Sequence, residues 1–448
     1  MRRLAPFFLL AACACTQNAP PPAAPAPIAR QASAAHAPVE VLSAWTQLGP
    51  DGVAEARAVT LGGACPRIAF GNSAAATMSA RAAAGGGFPL LCSAAIPPGA
   101  EAAQIVEEGP PGDGARQADR IMLPQVASEP KRILILGDTG CRIKGSATQA
   151  CNDPARWPFP AVAAAAARLR PELVIDVGDY LYRESACPKD DAGCAGTPFG
   201  DNWPTWSTDF FAPAAPLLAA APWVFTRGNH EDCARAGAGW TRLLGPGAFD
   251  ASAPCPAHLA PYAAPEGAMR LVVMDDANAP DTSVDEEMTQ VYRAEFAALS
   301  KQQGPIWLVM HRPIWGAIKG PLGIPVGGNA TLIEAVGEAG IAKPVKLMLS
   351  GHIHAFEAIN YDSKAPPLLV AGVGGDKLDE TPQDLKGAIF QGRSGVAVKD
   401  GLSIDGFGFV MMAKAADGWS VELYDSNGGL ERRCAFAGGR IDCAQTPK

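Results

Sequence analysis

From Lys131 onward, apolar strand-like runs alternate with helix-patterned stretches, and that rhythm admits few folds. The runs are Arg132 to Leu136, Leu173 to Val177, Trp223 to Thr226, Leu271 to Met274, Ile306 to Met310, Lys346 to Leu349 and Leu368 to Val373. Helical patterns fall between some of them, at Phe159 to Leu169, Val291 to Leu299 and Thr331 to Ala339. Such alternation predicts an α/β domain with a substantially parallel sheet, whose ligands gather beyond the strand ends. The stretches Gly406 to Met412 and Trp419 to Tyr424, with a turn at Asn427-Gly428-Gly429, read as antiparallel strands closing the sheet.

The strand exits carry the chemistry. In order they read Gly137-Asp138-Thr139-Gly140, Gly178-Asp179-Tyr180-Leu181-Tyr182, Gly228-Asn229-His230-Glu231, His311, and Gly351-His352-Ile353-His354. A lone Gly-Asp after a strand is a common turn, but this succession of Asp, Asp, Asn, His and paired His is specific. Two imidazoles spaced by two residues reach one compact site, and neutral imidazole suits zinc, iron or manganese. The chain has six histidines. Four of them (His230, His311, His352 and His354) fall at strand exits, while His36 and His258 lie in Ala/Pro-rich stretches and are expected at the surface.

These blocks resemble the calcineurin-like metallophosphoesterase superfamily, and more narrowly its purple acid phosphatase branch. The narrowing rests on Thr139-Gly140 after Asp138, where most of the superfamily has Asp-x-His, and on Tyr182 three residues after Asp179. The resemblance covers about Lys131 to Lys377. It implies a two-sheet α/β sandwich and two metal ions, one bound by Asp138, Asp179, Tyr182 and His354, the other by Asp179, Asn229, His311 and His352, with Asp179 bridging. Carboxylates and a phenolate suit a hard trivalent ion, and imidazoles with an amide oxygen suit a divalent one. The implied cofactors are Fe(III) with a divalent Fe, Zn or Mn. If Tyr182 only packs, the centre is an ordinary dinuclear zinc or manganese site.

The implied activity is hydrolysis of phosphomonoesters by a metal-bound hydroxide, with phosphodiester hydrolysis as the alternative. By the same resemblance, His230 hydrogen-bonds the phosphate or protonates the leaving oxygen. A non-catalytic surface module is the reading from another class, and the complete ligand set argues against it. Plant-type relatives carry further histidines beyond the one matching His311, whereas Arg312 to Lys319 here holds none. Arg312 and Lys319 are expected to be solvated cations, with phosphate contact as their other reading. Glu231, Asp275 and Asp276 read either as groups that orient ligands or as ordinary strand-end residues. The insert Arg183 to Phe211 carries Trp203, Trp206, Phe210 and Phe211, expected to pack against the domain rather than line a pocket.

The N-terminus bears on localisation. Met1-Arg2-Arg3 followed by Leu4 to Leu10 forms a basic n-region and a short apolar run, too short to span a bilayer. Leu10-Ala11-Ala12-Cys13 resembles a bacterial lipobox, which implies a signal peptide over 1–12 and lipidation of Cys13; a plain secretory cut nearby is the other reading. Both place the chain outside the cytoplasm, in the periplasm or at the cell surface. Residues 13–38 are Ala/Pro-rich with nothing to bury, and read as a disordered tether. Short apolar runs separated by Gly/Pro turns over 39–129 predict a small β-rich domain, leaving 130–448 as the catalytic domain.

With Cys13 and Cys15 set aside, the other ten cysteines read, in an oxidising compartment, as local disulfides, pairing Cys65 with Cys92, Cys141 with Cys151, Cys187 with Cys194, Cys233 with Cys255 and Cys434 with Cys443. The formal net charge of -8 argues against nucleic-acid binding through a basic face. The expected partner is a phosphate-ester substrate, with membrane contact only through the lipid anchor; the sequence is silent on oligomeric state.

Overall fold

Alternation of side chains along the strands divides the interior into three layers. In β1 (Arg132–Leu136), Ile133 and Ile135 face a core shared between two sheets, while Leu134 and Leu136 face the other way. The parallel neighbours β2 (Leu173–Asp176) and β3 (Trp223–Phe225) continue this sheet. The second sheet runs through β4 (Met269–Val273), β5 (Ile306–Val309), β6 (Val345–Ser350), β7 (Phe356–Tyr361) and β8 (Leu368–Ala371). There Trp307, Val309, Leu347 and Leu349 enter the shared core, and Ile306, Leu308 and Met348 face outward. Strands β4, β5, β6 and β8 are parallel, and β7 pairs antiparallel with β8.

The computed structural model describes residues 39–106, 120–267, 269–362, 365–392 and 395–443. The expected signal peptide, Cys13 and the expected tether lie outside them. Helices cover both outer faces, as an α/β sandwich requires. On the first sheet, α1 (Phe159–Arg168) buries Phe159, Val162, Ala163 and Ala166 beside Trp206 and Phe210 of the insert and Leu217 just after it. On the second, α2 (Glu286–Leu299) and α3 (Ala330–Val336) bury Tyr292, Phe296, Leu332 and Ile333. The insert aromatics pack as expected: Trp206, Phe210 and Phe211 are buried, and the half-buried Trp203 packs against Phe211.

The first sheet is extended at both margins. Beyond β3 it continues through Glu40–Leu48, Ala54–Leu61, Leu90–Ala95 and Ser79–Ala82, entered where Gln47 pairs in parallel with Trp223. Other residues of the β-rich stretch form a four-stranded antiparallel sheet, whose Ile68 and Ile105 share a small core with Ala56, Ala58 and Leu90 of those added strands. Beyond β1 come the antiparallel strands Gly408–Ala415, Gly418–Asp425, Leu430–Ala437 and Arg440–Cys443. All five nearest-neighbour disulfides are present. Among the described residues no helix is long and apolar enough to cross a membrane.

His258 corrects an expectation. It is half-buried rather than free at the surface: its Nε2 lies 2.7 Å from Glu295 Oε1 and its ring packs edge-on against Tyr292 of α2.

Candidate metal centre

Two sheets whose parallel strands end at one edge of the sandwich bring the exit loops together. Three of the candidate ligands hold positive φ: Asp138 at 56°, Asp179 at 65° and His352 at 68°. Non-glycine residues adopt this conformation at a cost of order 1 to 3 kcal/mol each, and such strain gathers at functional sites. The neighbouring glycines are required for contact rather than flexibility. A Cβ at Gly228 would collide with Asp179, and one at Gly351 with Asp138 Oδ2.

All seven candidate ligands converge, in two groups that share Asp179. In the first, Tyr182 Oη lies 2.9 Å from Asp138 Oδ1, 2.9 Å from Asp179 Oδ2 and 3.0 Å from His354 Nε2. His354 Nε2 is itself 3.1 Å from Asp138 Oδ1. In the second, His311 Nε2 lies 3.1 Å from Asp179 Oδ2 and 3.1 Å from Asn229 Oδ1, and one ligand atom each of Asp179, His311 and His352 falls within 4.8 Å of the others.

The donor chemistry fits metal ions. The single hydroxyl proton of Tyr182 faces lone pairs on three atoms and satisfies one at a time, so the first group has a surplus of buried lone pairs that a cation matches. Without a cation, protons must do this work. Burial alone would lower the pKa of His311 and His354, but Asp179 raises the first to about 9, and Asp376 with Asp138 raises the second to about 10. Burial likewise opposes ionisation of Asp179, yet the His311 and His230 imidazoles hold its carboxyl well below the usual range. Metal entry releases such protons and takes over the charge balance. A second trio, Cys187, Asp191 and Cys194, offers no comparable site, because its two sulfurs form a disulfide.

Buried carboxylates hold the loops in place. Glu231 accepts the backbone N–H groups of Asp179, Tyr180, Leu181 and Gly228, fixing β2's exit against β3's. Burial, reinforced by the charge of Asp179, pushes its pKa up to about 8. Asp276 accepts from the N–H groups of His311 and Arg312, and burial pushes it to about 7. Asp275 instead takes Arg227 and the Leu259 N–H. The ring nitrogens turned away from the site are also engaged: His311 Nδ1 with Val177 O and His354 Nδ1 with Lys377 O, both at 2.8 Å. These contacts fix ring orientation and tautomer.

His230 sits beside both groups. Its backbone N–H donates to Asp179 Oδ1 at 2.8 Å, its ring stacks on Tyr182 with centroids 3.8 Å apart, and its Nδ1 is 2.7 Å from Glu184 Oε1. Nε2, 4.0 Å from Asp179 Oδ2, is the nitrogen left for a ligand.

Several participants escaped the sequence reading. Glu184 follows Tyr182 by two residues and carries no signal of its own. Asp376, which pairs with Arg142 and lies 3.3 Å from His354 Nδ1, follows β8 within Val373-Gly374-Gly375-Asp376, so the strand-exit pattern could have found it. Arg312 departs from expectation: it is no solvated cation but is 9% exposed, paired with Asp281 and 3.0 Å from His352 Nε2. Lys319 is exposed and pairs with Glu380, as a surface cation does.

Fold and site together define a metal-dependent phosphoesterase. The calcineurin-like phosphoesterase profile matches residues 131–356, just over half of the chain, and the chain belongs to that family. Among solved structures, the purple acid phosphatase PPD1 from yellow lupin (Lupinus luteus) seeds is similar over 88% of this chain and 73% of its own, with a TM-score of 0.54 at 13% identity. PhoD is similar over 91% of this chain and 92% of its own, with a TM-score of 0.51 at 10% identity. At such identities the likeness is one of fold. No curated protein matches the sequence.

Proposed function

We propose that this hydrolase cleaves phosphomonoesters at a dinuclear metal site, with Asp138, Asp179, Tyr182 and His354 holding one ion and Asp179, Asn229, His311 and His352 the other. The observation that carries the reading is the meeting of two complete donor groups at the single carboxylate of Asp179. When bound, a metal pair supplies positive charge to the phosphate oxygens and acidifies a water for in-line attack. The chain's own part is positional. Glu231 and Asp276 set the ligand loops, and His230, backed by Glu184, presents Nε2 to hydrogen-bond the phosphate or give a proton to the leaving oxygen.

The convergence of the Tyr182 oxygen on the first group supports Fe(III) there, with a divalent Fe, Zn or Mn as its partner. An iron-loaded sample should show a visible tyrosinate band that Tyr182→Phe removes; a colourless iron-loaded wild type would argue for the ordinary zinc or manganese centre. The basic n-region, the apolar run and Leu10-Ala11-Ala12-Cys13 support export and lipid anchoring, and the five disulfides suit an oxidising compartment. Cys13→Ser should move the protein from the membrane fraction to the soluble one.

The deciding experiment assays an aryl monoester and an aryl diester side by side on metal-loaded protein, with Asp179→Asn as the control. Monoester preference together with an inactive control supports the proposal. Diester preference would transfer the site to the alternative activity, and turnover of neither ester would sink both.

A further inference from the structure

Asp281 lies in the loop between β4 and α2, and no motif marks it. Its position is nevertheless built. Asn329, which caps α3 by accepting the Leu332 N–H at 2.9 Å, donates through Nδ2 to Asp281 Oδ1 at 2.8 Å, and the Ala330 N–H donates to the Asp281 carbonyl at 2.9 Å. The other carboxylate oxygen, Oδ2, lies 3.0 Å from His352 Nε2 and also takes the Arg312 guanidinium. Arg312 Nη1 stands 3.0 Å from the same His352 nitrogen.

These two neighbours ask opposite things of the imidazole. Arginine has only donors, so hydrogen bonding to it requires Nε2 to be the lone-pair nitrogen and leaves the proton on Nδ1. An ionised carboxylate only accepts, so hydrogen bonding to it requires the proton on Nε2 and leaves the Nδ1 lone pair free. With Nε2 occupied on this side, Nδ1 is the nitrogen available to a metal, and a protonated Nδ1 cannot ligate.

We infer that Asp281 is a positioning residue for His352: its carboxylate holds the proton on Nε2 and draws the Arg312 guanidinium to itself, so that Nδ1 faces the second donor group as a lone pair. The inference rests on the reading of Asp179, Asn229, His311 and His352 as ligands of one ion. It goes beyond that reading in assigning the tautomer, the residue that sets it and the arginine that opposes it. Partners of this kind, hydrogen-bonded to a ligating histidine, change metal affinity by about ten- to a hundred-fold when removed.

The test is calorimetric titration of metal-stripped, full-length protein with Zn(II). Wild type should take up two equivalents; fewer would overturn the dinuclear reading, and the inference with it. Asp281→Ala leaves Asn329 Nδ2 its bond to Ala279 O, so α3 keeps its cap. In that variant one equivalent should weaken by about ten- to a hundred-fold while the other stays as in wild type. The double variant Asp281→Ala/Arg312→Ala should recover much of the lost affinity, because the opposing donor is gone. Wild-type affinity for both equivalents in Asp281→Ala, or a double variant no better than the single one, would overturn the inference. Arg312→Ala alone keeps the question decidable if Asp281→Ala does not fold: both equivalents should bind at least as tightly as in wild type, and a weakened one would count against the assignment.

Discussion

The backbone N–H of His352 donates to Asp138 Oδ2 at 3.0 Å, tying the loop that leaves β6 in one sheet to the loop that leaves β1 in the other. Both residues hold left-handed backbone conformations, so the bond joins two strained turns. The same carboxylate offers Oδ1 to the first donor group.

Asp138→Ala is therefore expected to act twice. Hydrolysis should fall by about two to three orders of magnitude, the scale of losing one preorganised electrostatic group. The melting temperature of metal-free protein should fall as well, because the bond between the loops goes with the carboxylate. Steady-state kinetics and calorimetry read the two effects separately. Activity within about ten-fold of wild type would remove Asp138 from the ligand set.

Glu231 gives a sharper stability prediction. Its replacement by alanine leaves four buried N–H donors, those of Asp179, Tyr180, Leu181 and Gly228, without their acceptor. Each orphaned buried group costs about 1 to 3 kcal/mol, with incomplete additivity among neighbours. Denaturant unfolding should show a loss of at least about 3 kcal/mol. A loss below about 1 kcal/mol would mean that the loops hold themselves without it.

Asp209 links the aromatic insert to the centre. It pairs with Arg183 Nε at 2.7 Å and accepts the N–H groups of Tyr182 and Cys141, all of it buried. Breaking a buried pair from one side costs about 3 to 5 kcal/mol. Asp209→Ala should lose that much stability and should also weaken any tyrosinate absorption of an iron-loaded sample. Stability lost with the absorption unchanged would confine Asp209 to the fold.

His258 predicts a pH effect outside the candidate ligand set. Burial and Arg227 oppose its protonation, but the hydrogen bond and charge of Glu295, helped by Asp275, outweigh them and raise its pKa above the ordinary 6.5. A raised folded pKa contributes stability that is fully present below the unfolded value and is lost as pH rises through the folded one. His258→Gln should therefore lower the melting temperature more at pH near 5 than at pH near 9. A pH-independent difference would assign His258 a packing role against Tyr292.

Much of the catalytic half was legible because its chemistry is local to the strand exits. A continuous apolar run followed by Gly-Asp or Gly-Asn announces both the strand and the loop. Strand β7 was missed: Phe356-Glu357-Ala358-Ile359-Asn360-Tyr361 is wholly buried, but Glu357 and Asn360 break the apolar run. Helix α2 starts at Glu286 rather than near Val291 because Asp285 caps it, accepting the Met288 N–H at 3.0 Å, and its first turn is acidic. The pairing of Gln47 with Trp223 was out of reach, since such pairing is decided by nonlocal packing. Asp281 was equally hidden: its role depends on where α3 begins, about fifty residues downstream.

The position of β1 also sets the order in which the molecule can be finished. It lies between β2, which follows it closely in sequence, and Gly408–Ala415, made near the end of the chain. Glu40–Leu48 waits in turn for β3. During synthesis, the strand that delivers Asp138 has an open edge until the last hairpins arrive. A chain cut short at residue 400 would keep every candidate ligand and lack the strand that covers the edge of β1, making it a candidate for aggregation rather than a smaller enzyme.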